Sequence, residues 1–181
     1  MYADFDTRTR WPSTDKMSSI FDWSQILEMG KNPGLGIHQL HAQGVTGYGV
    51  GIAIIDQTLL VDHQEYVNKL LLYEEADDIQ GAWLKTQMHG PAVASIAVGK
   101  TVGVAPQADL YYIATAMCSM GTYESVDFAC LAKSVRRIVE INRMLPTDRK
   151  IRVLSISIGW SPQSEGYDEI TAAVQEACGF R

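Results

Sequence analysis

Val50-Gly51-Ile52-Ala53-Ile54-Ile55-Asp56 decides the reading of this chain. Six β-prone or small residues with no polar break mark a strand covered on both faces, as strands are inside a parallel sheet. The run ends on Asp56, and the carboxyl ends of such strands are where α/β sheets hold ligands and carry out chemistry. Asp56 is therefore expected to face a crevice. Downstream, His89-Gly90-Pro91-Ala92-Val93-Ala94 supplies a base that could pair with that acid.

Before the strand, residues 1–21 are polar and aperiodic, and no structure is expected there. Asp22 can cap a short helix through Glu28 that Gly30 would end, and Ile37, Leu40 and His41 begin a second short helix closed by Gly44. The domain division expected is an arm with a short helix at 1–36 and one domain at 37–181. Gly44, Gly47, Gly49 and Gly51 precede their strand, whereas a dinucleotide-binding loop follows its strand and opens a helix.

After Asp56, Lys69 to Tyr73 reads as a second strand and Glu74 to Asp78 as a solvated acidic loop. Pro91 suits the first turn of a helix that Gly99 ends, which puts His89 at a helix amino terminus. There the positive end of the dipole disfavours imidazolium, as a proton acceptor requires. Asp109 to Thr115 is a third strand. Phe128, Leu131, Val135, Ile138 and Val139 at three- and four-residue spacing predict an amphipathic helix over 124–144. Ile151 to Ile158 is a fourth strand stopped by Gly159, and Tyr167 to Cys178 a last helix. Alternating strands and helices call for a parallel sheet.

With 181 residues, 46% of them hydrophobic, the chain can bury an ordinary core. A net charge of −6 argues against nucleic acid or an anionic membrane as partner, since either wants a basic face. Cys118, Cys130 and Cys178 are odd in number and form no C-x-x-C pair, so they read as core thiols of a reducing compartment. No signal peptide or membrane-spanning run is present, which points to a cytoplasmic chain unless an export signal was removed. His38 and His41 share a helix face, but no third ligand accompanies them and no metal site is expected.

These residues resemble the amino-terminal part of a subtilisin-like serine peptidase. Gly47-Tyr48-Gly49-Val50 into Ile54-Ile55-Asp56 matches the family's G-x-G-V…V-I-D, and Asp62-His63-Gln64-Glu65 its D-H-P-[DE]. His89-Gly90…Val93-Ala94 matches H-G-T-H-V-A, Gly103-Val104-Ala105-Pro106…Leu110-Tyr111 matches G-V-A-P…L-Y, and Ser157-Ile158-Gly159 matches S-L-G. Five motifs in family order cover about residues 37–181. The resemblance implies a three-layer subtilisin-like α/β fold with a mainly parallel sheet, truncated at the carboxyl end. It implies Asp56 and His89 as catalytic residues of an Asp-His-Ser triad. Ser157-Ile158-Gly159 and Ser119-Met120-Gly121 would pair with an extended peptide or protein substrate as added strands.

Four departures stand out. Asp56 is followed by Gln57-Thr58 where the family has Ser/Thr-Gly, and His89 by Gly90-Pro91-Ala92 where it has Gly-Thr-His. The stretch from His89 to Pro106 is shorter than in relatives that insert a calcium-binding loop there. The tight calcium site is thus expected to be absent, although Glu65 stands where one of its carboxylates would be, and calcium elsewhere in a full domain stays open. Last, no G-T-S-[MA] or G-x-S-x-G occurs. The sequence therefore holds two triad members without the nucleophile or the oxyanion Asn. Two functions remain open: a serine endopeptidase present as an inactive fragment, completed by a carboxyl-terminal part in cis or in trans, or a non-catalytic binding protein or half chain on the same fold.

Overall fold

In the computed structural model, residues 8–32, 34–116 and 126–179 are described. They fall into two compact units, Met1–Val45 and Thr46–Arg181. The first holds α1 (Trp23–Lys31) and α2 (Ile37–Ala42). As expected, the Asp22 side chain caps α1, accepting from the N–H groups of Ser24 and Gln25 at 3.0 Å. Within the arm, Trp11 stacks on Trp23 with ring centroids 5.8 Å apart. The lack of periodicity in this arm hid that contact, because one large aromatic can anchor a segment without any repeat.

The second unit runs β1 (Gly51–Asp56), β2 (Leu70–Glu75), α3 (His89–Val98), β3 (Asp109–Ala114), α4 (Phe128–Met144), β4 (Ile151–Ile156) and α5 (Tyr167–Gly179). All strand pairs are parallel, in the order β2-β3-β1-β4. β1 lies inside the sheet with all six residues buried, the environment its unbroken apolar run demands. Gly51 is needed for the β1–β4 contact: a Cβ there would lie 2.9 Å from Ile151 Cα. Alternation along the strands divides the core into two layers. Ala53, Ile55, Tyr111 and Ile113 pack with Leu131, Val135 and Ile138 of α4 and with Ile170 and Ala173 of α5. Ile52, Ile54, Leu110 and Tyr112 pack on the other face with Ala94 and Val98 of α3, Leu59 and Tyr66.

Several expectations are corrected. β4 stops at Ile156, because its ladder with β1 ends at the pair Ile55–Ile156 just before β1 itself ends. α4 starts at Phe128, where the Asp127 side chain caps it by accepting from the Ala129 N–H at 2.8 Å. Residues 124 and 125 lie outside the described residues. Glu74 and Glu75 belong to β2 and not to a loop. Glu74 accepts a two-pronged bond from Arg137 at 2.8 and 2.9 Å, and Asp78 accepts from the Thr115 hydroxyl at 2.8 Å. Both partners of the Arg137–Glu74 pair are partly exposed, so it is worth at most about 1 kcal/mol.

Two of the cysteines are not free core thiols: Cys130 is disulfide-bonded and Cys178 is free but exposed, while Cys118 lies outside the described residues. The odd count concealed the pairing, since one unpaired residue breaks the parity that signals a bridge. With it goes the ground for assigning a reducing compartment. Among the described residues no helix is long and apolar enough to cross a membrane.

Candidate active site

Asp56 ends β1 and is fully buried, while His89 opens α3 with its side chain 48% exposed. Parallel pairing of β1 with β3, extended by the Thr115 N–H donating to the Asp56 carbonyl at 2.9 Å, fixes the backbone at the sheet's carboxyl edge. There His89 Nδ1 lies 2.7 Å from Asp56 Oδ1. The same oxygen accepts the Gln57 N–H at 2.7 Å, whereas Oδ2 is buried without a hydrogen-bond partner. A carboxylate held this dry must be compensated, and the imidazole N–H provides much of what compensates it. As a pure acceptor, the carboxylate selects the imidazole tautomer protonated at Nδ1 and leaves Nε2 free to accept a proton.

Around this pair sits a shell that periodicity did not reveal. Tyr112 of β3 is fully buried and its hydroxyl donates to the Gln57 carbonyl, one residue past Asp56. A Cβ added at Gly90, one residue past His89, would lie 2.3 Å from that hydroxyl and 2.5 Å from that carbonyl oxygen. Gly90 is thus required by close approach. Burial first, and the charge of Asp56 second, push the Tyr112 phenol far above its ordinary pKa, so it stays a donor. Its ring stacks on Tyr73, whose own phenol is pushed up to about 12 by burial and by its bond to Glu75. The signal available in the sequence was a phenol inside an apolar strand, because a buried tyrosine hydroxyl needs a partner.

The other singled-out residues are distributed as follows. Ser157, Ile158 and Gly159 follow β4 directly, with Ser157 and Gly159 exposed and Ile158 half-buried. Ser119, Met120 and Gly121 lie outside the described residues. His63 is buried, and its ring stacks on Tyr66 at 5.2 Å. Among the described residues no group of three or more His, Cys, Asp or Glu could hold a metal ion. Glu65 is buried and turned to another use: one carboxylate oxygen accepts the Thr101 N–H at 2.8 Å and the other the Thr101 hydroxyl at 2.7 Å. Its backbone carbonyl accepts the Lys100 N–H at 2.9 Å. A carboxylate so engaged with the turn after α3 does not fit the part of a cation ligand there.

Residues 47–180 match the sequence profile of the subtilase family. The Subtilisin-like protease PopC of Myxococcus xanthus (strain DK1622) is 34% identical over 87 residues, a match covering 42% of this chain and 18% of that protein. The solved structure of Prenylagaramide maturation protease PagA superposes with a TM-score of 0.57 at 17% identity, covering 80% of this chain and 47% of that one. The chain thus spans less than half the length of either relative. With the profile matched over most of its length, and an Asp and a His hydrogen-bonded at the edge of a subtilisin-like parallel sheet, the chain belongs to the subtilase family of serine-type peptidases.

Proposed function

We propose that this chain supplies the acid–base half of a serine endopeptidase, with Asp56 and His89 as its members and the nucleophile outside these 181 residues. The observation that carries the reading is the 2.7 Å bond from His89 Nδ1 to Asp56 Oδ1, made by a fully buried carboxylate to a half-exposed imidazole. Asp56 holds the ring so that Nε2 faces the reacting serine. His89 takes the proton from the serine hydroxyl as the oxygen bonds to the peptide carbonyl carbon, then gives it to the amine as the C–N bond breaks. Water repeats the cycle on the acyl-enzyme. A peptide substrate lies extended along Ser157-Ile158-Gly159, which directly follows β4, an edge strand among the described residues. No proposed step runs through a metal near α3, where the Glu65 carboxylate holds the turn by direct hydrogen bonds from Thr101.

The remainder of the domain is a carboxyl-terminal part acting in cis or in trans. Two features support this: the short coverage of both relatives, and α3 itself. Apart from Ser95, its run Pro91-Ala92-Val93-Ala94-Ser95-Ile96-Ala97-Val98 carries only apolar side chains, as in a helix largely covered, yet Ile96 is 61% exposed. Removing the nucleophile from such an enzyme costs about a millionfold in turnover. The chain alone should therefore leave a fluorogenic peptide intact and no serine labelled by a fluorophosphonate. Joined to a carboxyl-terminal segment with the missing Asn and Ser, it should hydrolyse the peptide, and His89→Ala and Asp56→Asn should each abolish that activity. Fluorophosphonate labelling of the 181-residue chain, or activity surviving His89→Ala, would refute the reading.

A further inference from the structure

We propose that Tyr112 is a positioning residue of the acid–base pair, its hydroxyl tying the turn after Asp56 to the first turn of α3. The inference rests on the pairing of Asp56 with His89 described above and adds a residue that the family resemblance does not assign.

Asp56 and His89 lie on different elements, β1 and α3, and their bond is only as well defined as the spacing between those elements. Beside both elements, against the Gln57 carbonyl and Gly90, lies a phenol hydroxyl. Tyr112 brings it from β3, where its register partner on β1 is Ile54, so its ring points to the face that carries α3. The hydroxyl donates to the Gln57 carbonyl, and the Gln57 N–H donates to Asp56 Oδ1 at 2.7 Å. The two bonds fall on the two adjacent peptide groups that meet at Gln57 Cα. From the other direction the hydroxyl fills the space where a Gly90 side chain would be, next to His89. Without the phenol's bond the Gln57–Thr58 peptide group could turn, loosening the backbone at Gln57 Cα and with it the adjoining peptide whose N–H serves the carboxylate, the Oδ2 of which already lacks a partner. The ring is held in turn by Tyr73, which stacks on it at 5.9 Å and donates to Glu75 at 3.0 Å.

A matched control lies in the same core layer. Tyr66 is also fully buried and donates to a backbone carbonyl, that of Leu60, at 2.8 Å, but not to the residue following Asp56. Tyr66→Phe and Tyr112→Phe therefore remove the same kind of bond, one away from the pair and one beside it. The readout is the Nδ1–H proton of His89 in the magnetic resonance spectrum of the intact chain, identified by its loss in Asp56→Asn and His89→Gln. Tyr112→Phe should shift this resonance and speed its exchange with solvent at least several-fold, while Tyr66→Phe leaves both as in the parent, although both variants melt earlier. Equal exchange in the two variants would reduce Tyr112 to a core residue and overturn the inference. Absence of the resonance from the parent chain would instead overturn the Asp56–His89 pairing beneath it, so the two failures are distinguishable.

Discussion

Glu65 offers a measurement that separates direct hydrogen bonding from metal binding. Its buried carboxylate accepts two bonds from Thr101, at 2.8 Å from the N–H and 2.7 Å from the hydroxyl, and so holds the turn that joins α3 to β3. Hydrogen bonds to a charged group contribute about 1.5–3 kcal/mol each. Thr101 is itself exposed, so water can take over its donors when the carboxylate is removed, which favours the lower end of that range. Glu65→Ala loses both bonds and should therefore cost about 3 kcal/mol. Glu65→Gln keeps one acceptor oxygen, loses the charge and should cost about 1 kcal/mol. At roughly 2–4 °C per kcal/mol for a chain of this size, the midpoints should fall by about 6–12 °C and 2–4 °C. The assay is thermal melting by circular dichroism, with a chelator and then with calcium in excess. A filled site would raise the parent midpoint on calcium addition by mass action. The expected midpoint is the same in chelator and calcium. A calcium-dependent rise that Glu65→Ala abolishes would refute the reasoning, and so would a Glu65→Ala cost below about 0.5 kcal/mol.

Two further outcomes follow from the core. Leu131 is fully buried between α4 and the sheet, so Leu131→Ala should cost about 2–5 kcal/mol in denaturant unfolding; a loss under about 1 kcal/mol would mean that this layer is loosely packed. Tyr73, Tyr111 and Tyr112 have phenol pKa values raised chiefly by burial, so the folded chain binds more protons than the unfolded one above the ordinary phenol value of about 10. Their contribution is fully present below that pH and is lost as pH rises, through about 12 for Tyr73; tyrosinate absorbance titrating in one step near 10 with the fold intact would contradict it.

The parts of the site legible in sequence are those whose signal is local. β1 could be read because burial on both faces needs an unbroken apolar run, and Asp56 because a charge ending such a run has no packing role. His89 could be placed at a helix start because Pro91 and Gly99 punctuate α3. The relations that escaped are between segments distant in the chain. Glu65 and Thr101 are separated by 36 positions and Tyr112 and Gln57 by 55, and nothing in either neighbourhood names the other. The end of β4 escaped for a related reason: Ser157 and Ile158 continue its pattern, but a strand lasts only as long as its neighbour, and β1 turns away at Asp56. The start of α4 escaped because the apolar spacing that marks the helix does not say where it begins; the Asp127 cap does.

The contrast between α4 and α3 leads to a last prediction, one that separates a self-sufficient domain from the half of a site. α4 has a polar outer face carrying Arg136, Arg137, Glu140 and Arg143, as suits a helix with one side in water. α3 has no such face: opposite the buried Ala94 and Val98 it presents Ile96, 61% exposed. At the sheet's margin, Val153 of the edge strand β4 is 47% exposed. In the chain alone, Ile96→Lys exchanges one exposed side chain for another and should change stability by no more than about 0.5 kcal/mol. If a carboxyl-terminal part covers α3, the same substitution buries an unpaired ammonium, a penalty of several kcal/mol, and activity restored by that part should be lost. Ile96→Lys would then leave the melting curve of the 181-residue chain in place and abolish peptide hydrolysis by the joined protein. Full activity in the joined Ile96→Lys protein would mean that α3 keeps its outer face in water and that the completing residues lie elsewhere.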